Sequence, residues 1–156
     1  MPIRKAERKD LESIIEMIAD DPLGKLREDY QIPLPLAYIE AFNNIANDPN
    51  QELMVITSDD KVIGTMQLSF IPYLTYRGGI RAQIEAVRIH KAFRGEGIGE
   101  KLFKWAIQRA QERGAHLLQL TTDKKRPDAL RFYEKLGFKA SHEGMKLHFK
   151  TATVDK

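Results

Sequence analysis

Apolar residues recur at helical spacing in four segments of the chain. After Asp10, a residue type that caps helices, four apolar residues occupy positions i, i+3, i+4 and i+7: Leu11, Ile14, Ile15 and Ile18. The longest such stripe follows Gly97 and ends before Gly114. These patterns predict helices over residues 10–20, 35–46, 97–113 and 127–136.

Runs of apolar and β-branched residues lie between these helical segments. Residues 52–57 and 62–71 flank Ser58–Asp59–Asp60–Lys61, which predicts an antiparallel hairpin. Further short runs predict strands over residues 3–8, 82–89, 117–122, 138–140 and 145–149. An antiparallel start followed by alternating strands and helices predicts an α/β fold, with a mixed sheet of six to seven strands flanked by about four helices. No repeat or linker interrupts the chain, so we expect one domain over residues 1–156.

Composition narrows the class of protein. The 156 residues are 42% hydrophobic and 30% charged, which supports a folded core rather than a disordered chain. Cysteine is absent, which excludes disulfides, thiolate–zinc sites and a cysteine nucleophile. The four histidines have no ligand-like spacing, so we expect no metal site. No apolar run is long enough to span a membrane and the first residues lack a signal-peptide pattern, so we expect a cytoplasmic protein.

Charge is distributed unevenly along the chain. Residues 1–80 hold 8 Lys and Arg against 13 Asp and Glu, a net charge of −5, whereas residues 81–156 hold 17 against 9, a net charge of +8. A basic half suggests that this half holds an anionic partner. Chance clustering on solvated faces is the alternative, and charge alone does not separate the two.

A glycine-rich segment follows a predicted strand and opens the longest predicted helix: Arg94, Gly95, Glu96, Gly97, Ile98 and Gly99. Alternate glycines let successive backbone N–H groups point at one ligand, and a helix N-terminus adds unpaired donors. The segment therefore suits a phosphate, with Arg94 as a permanent cation beside it; a tight strand–helix turn is the alternative. The spacing differs from the dinucleotide fingerprint and from the P-loop.

Three parts of the chain resemble the GNAT superfamily of acyl-CoA-dependent N-acetyltransferases. Arg94-x-x-Gly97-x-Gly99 is similar to the pyrophosphate loop of that family. The sequence ALRFYEKLGF at residues 129–138 resembles its second signature, and residues 3–11 resemble its first strand and helix. The order and spacing of these parts fit along almost the whole chain.

The resemblance implies a sheet splayed in the middle that admits the pantetheine arm of acetyl-CoA. The strand before the loop is expected to pair with pantetheine through Val87, Arg88 and Ile89. The loop is expected to hold the pyrophosphate through residues 94–99. Basic residues farther along the chain lie where a terminal phosphate can be approached, although solvated charges explain them equally well: Lys124, Lys125, Arg126 and Arg131.

Two residues are the catalytic candidates. An alkylammonium has a pKa of ~10.4, so a base helps to form the attacking amine at neutral pH. Glu85 lies mid-strand just upstream of the loop, and relatives place a carboxylate at a similar position; a solvent-facing or substrate-orienting role is the alternative. Tyr133 resembles the family tyrosine that protonates the coenzyme thiolate, and packing or a hydrogen bond to the sulfur is its alternative. A backbone N–H near Val87 or Arg88 is expected to stabilise the oxyanion.

One position departs from the family pattern. Many relatives carry an asparagine seven residues before the tyrosine, and this chain has Arg126 there. No role is carried over to Arg126.

The expected function is transfer of the acetyl group of acetyl-CoA to a primary amine by direct attack in a ternary complex. In the family, the acceptor side corresponds to residues 20–35 and 72–79, where acidic residues and two tyrosines favour a small cationic amine; ordinary polar loops are the alternative. A protein lysine or N-terminal acetyltransferase and a non-catalytic acyl-CoA sensor of the same fold stay open. We expect neither a nucleic-acid nor a membrane partner, and family habit makes a homodimer plausible.

Overall fold

A computed structural model describes residues 1–150. The described residues form two compact units, Met1–Leu118 and residues 119–150. The single domain over residues 1–156 stays a prediction. Within residues 1–150, no helix combines the length and the apolar character needed to cross a membrane.

A five-stranded mixed sheet in the order β1-β2-β3-β4-β5 organises the fold. Its strands are β1 (Ile3–Lys5), β2 (Gln51–Ser58), β3 (Lys61–Pro72), β4 (Ile80–Ile89) and β5 (Leu117–Gln119). The first four strands pair antiparallel. Asp59 and Asp60 join β2 to β3 with φ angles of 49° and 64°, as a two-residue hairpin turn requires. The α/β class and the hairpin are therefore confirmed.

The sheet has fewer strands than the six to seven expected. Residues 138–140 and 145–149 form no strand in the structure. The alternating apolar residues of the second segment are exposed: Met145 at 91%, Leu147 at 80% and Phe149 at 75%. Alternation predicts a strand only where a neighbouring strand accepts its hydrogen bonds, and among residues 1–150 none pairs with these segments.

The predicted helices are confirmed to within a few residues. They are α1 (Leu11–Ala19), α3 (Leu36–Ala46), α5 (Ile98–Glu112) and α6 (Pro127–Lys135). Two short helical turns, α2 (Gly24–Arg27) and α4 (Thr75–Gly78), lie in the connections. Within α4, Tyr76 and Arg77 have left-handed backbone angles, so α4 is a single irregular turn.

The helices of the first unit cover opposite faces of the sheet. Leu53 of β2 packs on the α1–α3 side, against a cluster that includes Leu11 and Phe42. Its neighbour Glu52 contacts Arg109 of α5. Because successive strand residues point to opposite faces, α1 and α3 lie on one face and α5 lies on the other.

Glu52 fastens α5 to the sheet. Its carboxylate accepts hydrogen bonds from Arg109 at 2.9 and 2.7 Å and from Arg113 at 2.8 Å, and its side chain is only 5% exposed. The hydrogen bond from Arg109 lowers the pKa of Glu52, although burial opposes that shift. The buried charge is therefore fully compensated within the fold.

Candidate active site

The glycine loop (residues 94–99) joins β4 to α5 through a short 3₁₀ turn (Lys91–Phe93). Gly95 and Gly97 have φ angles of 80° and 79°, which glycine adopts without strain. A Cβ at either position would meet open space, so backbone conformation rather than crowding requires glycine. Ile98 is 2% exposed and anchors the start of α5. The loop thus presents its backbone and the unpaired N–H groups of the helix N-terminus to solvent.

Arg94 connects the start of this loop to the α1–α2 connection. Its guanidinium donates to the Ile89 carbonyl at 3.3 Å and to the Asp20 carbonyl at 3.4 Å, and lies 3.9 Å from the Asp20 carboxylate. The side chain stays 54% exposed. Arg94 therefore fixes the loop while leaving part of its cation open to an anion.

A β-bulge at Ala86 and Val87 interrupts β4 at the start of the segment expected to meet pantetheine. Gln67 pairs with Glu85 and Thr65 pairs with Arg88, so Met66 faces two residues of β4 instead of one. Ala86 in the bulge has a φ of 54°, which is strained for a residue other than glycine. The extra residue places Glu85 and Arg88 on the same face of the sheet, whereas a regular strand would put them on opposite faces.

Arg88 turns its side chain toward the α1–α2 connection. Its Nε lies 2.9 Å from Asp21 Oδ2, and the two side chains are 15% and 11% exposed. The other oxygen of Asp21 accepts from the backbone N–H groups of Leu23 and Gly24 at 2.9 and 2.6 Å. The strand and the α1–α2 connection are therefore held together by a charge pair.

The acidic residues of segment 20–35 are mostly engaged within the protein. Asp20 and Asp21 face Arg94 and Arg88, as described. Glu28 pairs with Arg27 at 3.1 Å and accepts from the Tyr38 hydroxyl at 2.8 Å. These contacts leave less negative charge for a cationic acceptor than the sequence suggests.

Glu85 lies on a polar floor (Gln51, Gln67, Ser69, Gln83 and Glu85) that crosses three strands. Gln51 accepts from Gln67 at 2.7 Å and from Ser69 at 2.6 Å, and Gln83 donates to Glu85. Strand register puts all five on the α1–α3 side of the sheet. Glu85 is exposed, and within residues 1–150 no cation pairs with it. Its carboxylate is therefore open to an incoming group.

An aromatic cluster (Tyr73, Tyr76 and His116) lies at the β3–β4 connection, at the end of β4 away from the glycine loop. The rings of Tyr73 and His116 stack at 5.6 Å and share a hydrogen bond, and Tyr76 lies 4.5 Å from His116. A Cβ on Gly79 would come within 2.8 Å of the His116 ring, so glycine permits this close approach. The cluster fixes the β3–β4 connection against the residue that precedes β5.

Tyr133 belongs to the second unit and lies in α6. Its ring packs edge-on against Phe132 and Phe138, at 5.6 and 6.2 Å. Gly137, with a φ of 101°, follows the end of the helix, and the N–H of Phe138 bonds to the Tyr133 carbonyl at 3.1 Å. The helix end therefore orients the tyrosine, whose catalytic role stays a prediction.

Comparison with known proteins identifies the family. Residues 13–138 match the model of the Acetyltransferase (GNAT) family. The chain belongs to the GNAT family. It is an acyl-CoA-dependent acetyltransferase, as the resemblance of the glycine loop and of the α6 signature indicated.

Curated relatives agree with this GNAT assignment. An aminoalkylphosphonate N-acetyltransferase from Salmonella typhimurium is 32% identical over 140 residues, which cover 90% of this chain and 86% of the relative. A glucosamine 6-phosphate N-acetyltransferase from Trypanosoma brucei brucei is 29% identical over 94% of this chain and 95% of the relative. N-acetyltransferase activity is therefore supported.

A solved structure matches this GNAT chain along most of its length. It is that of a transcriptional regulator from Bacillus halodurans C-125, which is 59% identical, covers 95% of this chain and 99% of its own, and has a TM-score of 0.93.

The structure assigns the predicted site residues of this GNAT protein to its two units. Glu85, Val87, Arg88, Ile89 and residues 94–99 lie along β4 and its following loop in the first unit, and Tyr133 lies in the second. In the described part of the chain, no three His, Asp or Glu side chains gather as metal ligands.

The sequence does not predict several features of this GNAT site. Neither the bulge at Ala86 nor the Arg88–Asp21 pair has a local signal. The contact of His116 with Tyr73 joins residues 43 positions apart. Alternation along the predicted strand puts Gln83 and Glu85 on one face, and the pairing of β4 with β3 adds Arg81, which lies outside the predicted strand.

Proposed function

We propose that this GNAT enzyme transfers the acetyl group of acetyl-CoA to a small-molecule primary amine by direct attack in a ternary complex. The observation that carries the proposal is the open carboxylate of Glu85 on the polar floor, one residue before the strained bulge of β4. In the same unit, the glycine loop begins five residues after Ile89. A candidate base and a candidate anion site thus lie along one strand and its connection.

The residues of the glycine loop suit the pyrophosphate of acetyl-CoA. Gly95 and Gly97 hold left-handed conformations in open space, so the backbone is accessible to a bulky anion. Arg94 adds a half-exposed guanidinium. Oriented N–H groups, a helix N-terminus and an arginine form a donor set that matches phosphate chemistry.

The edge of β4 suits the pantetheine arm. β5 has three residues and β4 has ten, so within residues 1–150 most of β4 has no strand on that side. The His116 N–H bonds to the Ile80 carbonyl at 2.9 Å, which places the start of this pairing at the N-terminal end of β4. Backbone groups of Val87, Arg88 and Ile89 would therefore bind pantetheine beyond the paired part.

On the way from ammonium group to amide the nitrogen loses two protons, one before attack and one as the amide forms, and the departing thiolate gains one. Acetyl-CoA, when bound, supplies the thioester carbonyl that the amine attacks, after which the carbon–sulfur bond breaks. Glu85 would accept the proton that the ammonium group loses before attack, directly or through water, and the second nitrogen proton would pass to water as the amide forms. Tyr133 would donate its phenolic proton to the departing thiolate. The N–H of Val87 or Arg88 would stabilise the negative oxygen that forms during attack.

Two observations support a small polar amine as the acceptor: the names of the relatives and the side chains of the polar floor. The two curated relatives are named for small amino compounds, an aminoalkylphosphonate and glucosamine 6-phosphate. The amide and hydroxyl groups beside Glu85 suit a polar small molecule. The cytoplasmic location, expected from the sequence, and the homodimer, suggested by family habit, remain predictions.

Thiol release from acetyl-CoA tests the proposal. The purified protein is given a panel of polyamines, amino sugars, aminoalkylphosphonates, aminoglycosides and peptides with free lysines or N-termini. We expect release that depends on a small amine and yields its N-acetyl product by mass spectrometry. Modification of peptides alone would replace the small acceptor with a protein.

A non-catalytic acyl-CoA sensor is the second candidate, because the similar structure from Bacillus halodurans C-125 is described as a transcriptional regulator. A sensor would bind acetyl-CoA in calorimetry and release no thiol with any amine. Turnover with an amine would exclude this candidate.

A further inference from the structure

Arg81 shares a sheet face with Glu85 and has no role in the transfer chemistry proposed above. The register pairs Arg81 with Ile71, Gln83 with Ser69 and Glu85 with Gln67, without a shift between them. Arg81, Gln83 and Glu85 therefore point to the same side of the sheet. This is the side that carries the polar floor and the aromatic cluster.

The cation of Arg81 is uncompensated in the described part of the chain. Its Nε is buried and has no hydrogen-bond partner, and no carboxylate in residues 1–150 forms an ion pair with it. Its guanidinium carbon lies 5.0 Å from the centre of the Tyr73 ring. A cation–π contact at this distance attracts the guanidinium but gives the buried Nε no hydrogen-bond acceptor.

Other partly buried arginines of the first unit have anions. Arg4 bonds to Asp10 at 2.7 and 3.0 Å, and Arg109 and Arg113 both bond to Glu52. A partly buried cation that lacks a partner costs stability, so its isolation at Arg81 points to an anion that arrives from outside.

The Tyr73 ring that contacts Arg81 is itself held in place by other contacts. Tyr73 beneath it bonds to His116, and the Tyr73 N–H bonds to the Gly79 carbonyl at 3.1 Å. Tyr73 is thus held from its ring and from its backbone. A ring fixed in this way keeps the guanidinium above the end of the floor.

We propose that Arg81 binds an anionic group of the acceptor, a phosphate, phosphonate or carboxylate, while the acceptor's amine lies at Glu85. The proposal rests on the proposed acetyl transfer and names the substrate class of that same site. Four residues of a strand separate the two side chains by about 13 Å along the sheet. The acceptor therefore carries its amine and its anion on the order of 10 Å apart, which favours extended molecules over short amino acids.

The test compares two arginines of the first unit. Arg81→Gln removes the proposed anion contact, and Arg8→Gln removes the same charge from an exposed position outside the proposed site. Each variant and the wild type are assayed with ω-aminoalkyl phosphates of increasing length, with ω-amino carboxylates and with alkylamines that lack an anion. Thermal unfolding of each variant checks that it is folded.

We expect Arg81→Gln to raise KM for the anionic acceptors about tenfold or more while kcat changes little, because binding rather than chemistry is lost. The alkylamines should keep their KM, Arg8→Gln should resemble the wild type, and Arg81→Lys should restore part of the affinity. Longer aminoalkyl chains should bind better than the shortest. The KM values of the ω-aminoalkyl phosphates and of the ω-amino carboxylates show which anion is preferred.

Three results would overturn the inference. They are an equal KM change for charged and uncharged amines, no change for any amine, or the same change in Arg8→Gln. Turnover of uncharged amines with no preference for anionic ones would leave the proposed acetyl transfer intact and remove only the role of Arg81. Failure of every amine would instead contradict the proposed function itself, and the inference with it.

Discussion

The two faces of the central sheet differ in whether their charged side chains have partners of opposite charge. On the α5 face, Glu52 is buried and receives hydrogen bonds from two arginines. On the α1–α3 face, Glu85 is open beside Gln83, and Arg81 has no carboxylate in residues 1–150.

This difference separates charges that build the fold from charges available to a substrate. A compensated buried pair holds elements together and has no capacity left for a ligand. Charged side chains that have no such partner, beside the polar floor, are available to exchange protons with a substrate or to bind it. The contrast predicts that substitutions on one face change stability and substitutions on the other change catalysis.

The largest expected effect is on the open face. Glu85→Gln removes the proposed base and keeps the side-chain shape, so kcat should fall about 100-fold or more while the melting temperature stays within about 2 °C. Steady-state kinetics and calorimetry measure the two quantities. Glu40→Gln, an exposed change on α3, is the matched control. A folded Glu85→Gln variant with near-normal kcat would break the contrast.

The next effect is on the α5 face. Glu52→Gln leaves Arg109 and Arg113 without their anion, and because both arginines are about one-third exposed, we expect a loss of about 2 kcal/mol in the free energy of unfolding. Chemical denaturation measures this loss, and kcat should be nearly unchanged. If kcat fell while stability held, Glu52 would belong with the functional charges.

The pH dependence of the free energy of unfolding tests the same comparison. The pKa of Glu52 is lowered from its ordinary value of 4.5, so the folded protein binds fewer protons than the unfolded chain around that pH. The stabilisation from Glu52 is therefore complete above pH 4.5 and is lost as the pH falls below it. Stability should fall less steeply in Glu52→Gln than in the wild type. Parallel curves in denaturant titrations would contradict this account.

Tyr133 extends the comparison to the second unit. Tyr133→Phe keeps the ring that packs on Phe132 and Phe138 but removes the proposed proton donor, so kcat should fall about tenfold or more. Coenzyme affinity in calorimetry should barely change. A near-normal kcat would leave Tyr133 as a packing residue.

The smallest effect concerns the charge pair that joins the α1–α2 connection to β4. Asp21→Asn weakens the contact with Arg88, and we expect KM for acetyl-CoA to rise about threefold to fivefold because the strand expected to bind pantetheine is held less firmly. Asp20→Asn, which removes a longer and more exposed pair, should change KM less. The reverse order would show that Arg94 and Asp20 matter more for that strand.

Local patterns in the sequence predicted the features that local chemistry determines. The apolar spacing after Asp10 and Gly97 gave α1 and α5, and the alternating glycines gave a loop with the expected left-handed angles at Gly95 and Gly97. The alternating residues 145–149 failed as a predictor because a strand also needs a neighbour.

The rest of the site depends on register and on contacts between distant segments. The bulge at Ala86 has no signal, because alanine does not favour a positive φ and only pairing with β3 reveals the extra residue. Tyr73 and His116 meet because β5 lies beside β4. The lack of a carboxylate partner for Arg81 within residues 1–150 is visible only once the side chains around it have been placed.

The pH–rate profile of Glu85→Gln tests the central claim most directly. If the open carboxylate is the base, the acid limb of kcat/KM with a good acceptor should move in this variant relative to the wild type, because the protonation of Glu85 no longer limits the rate. An acid limb that stays in place would contradict the claim and reduce Glu85 to a residue that positions the substrate.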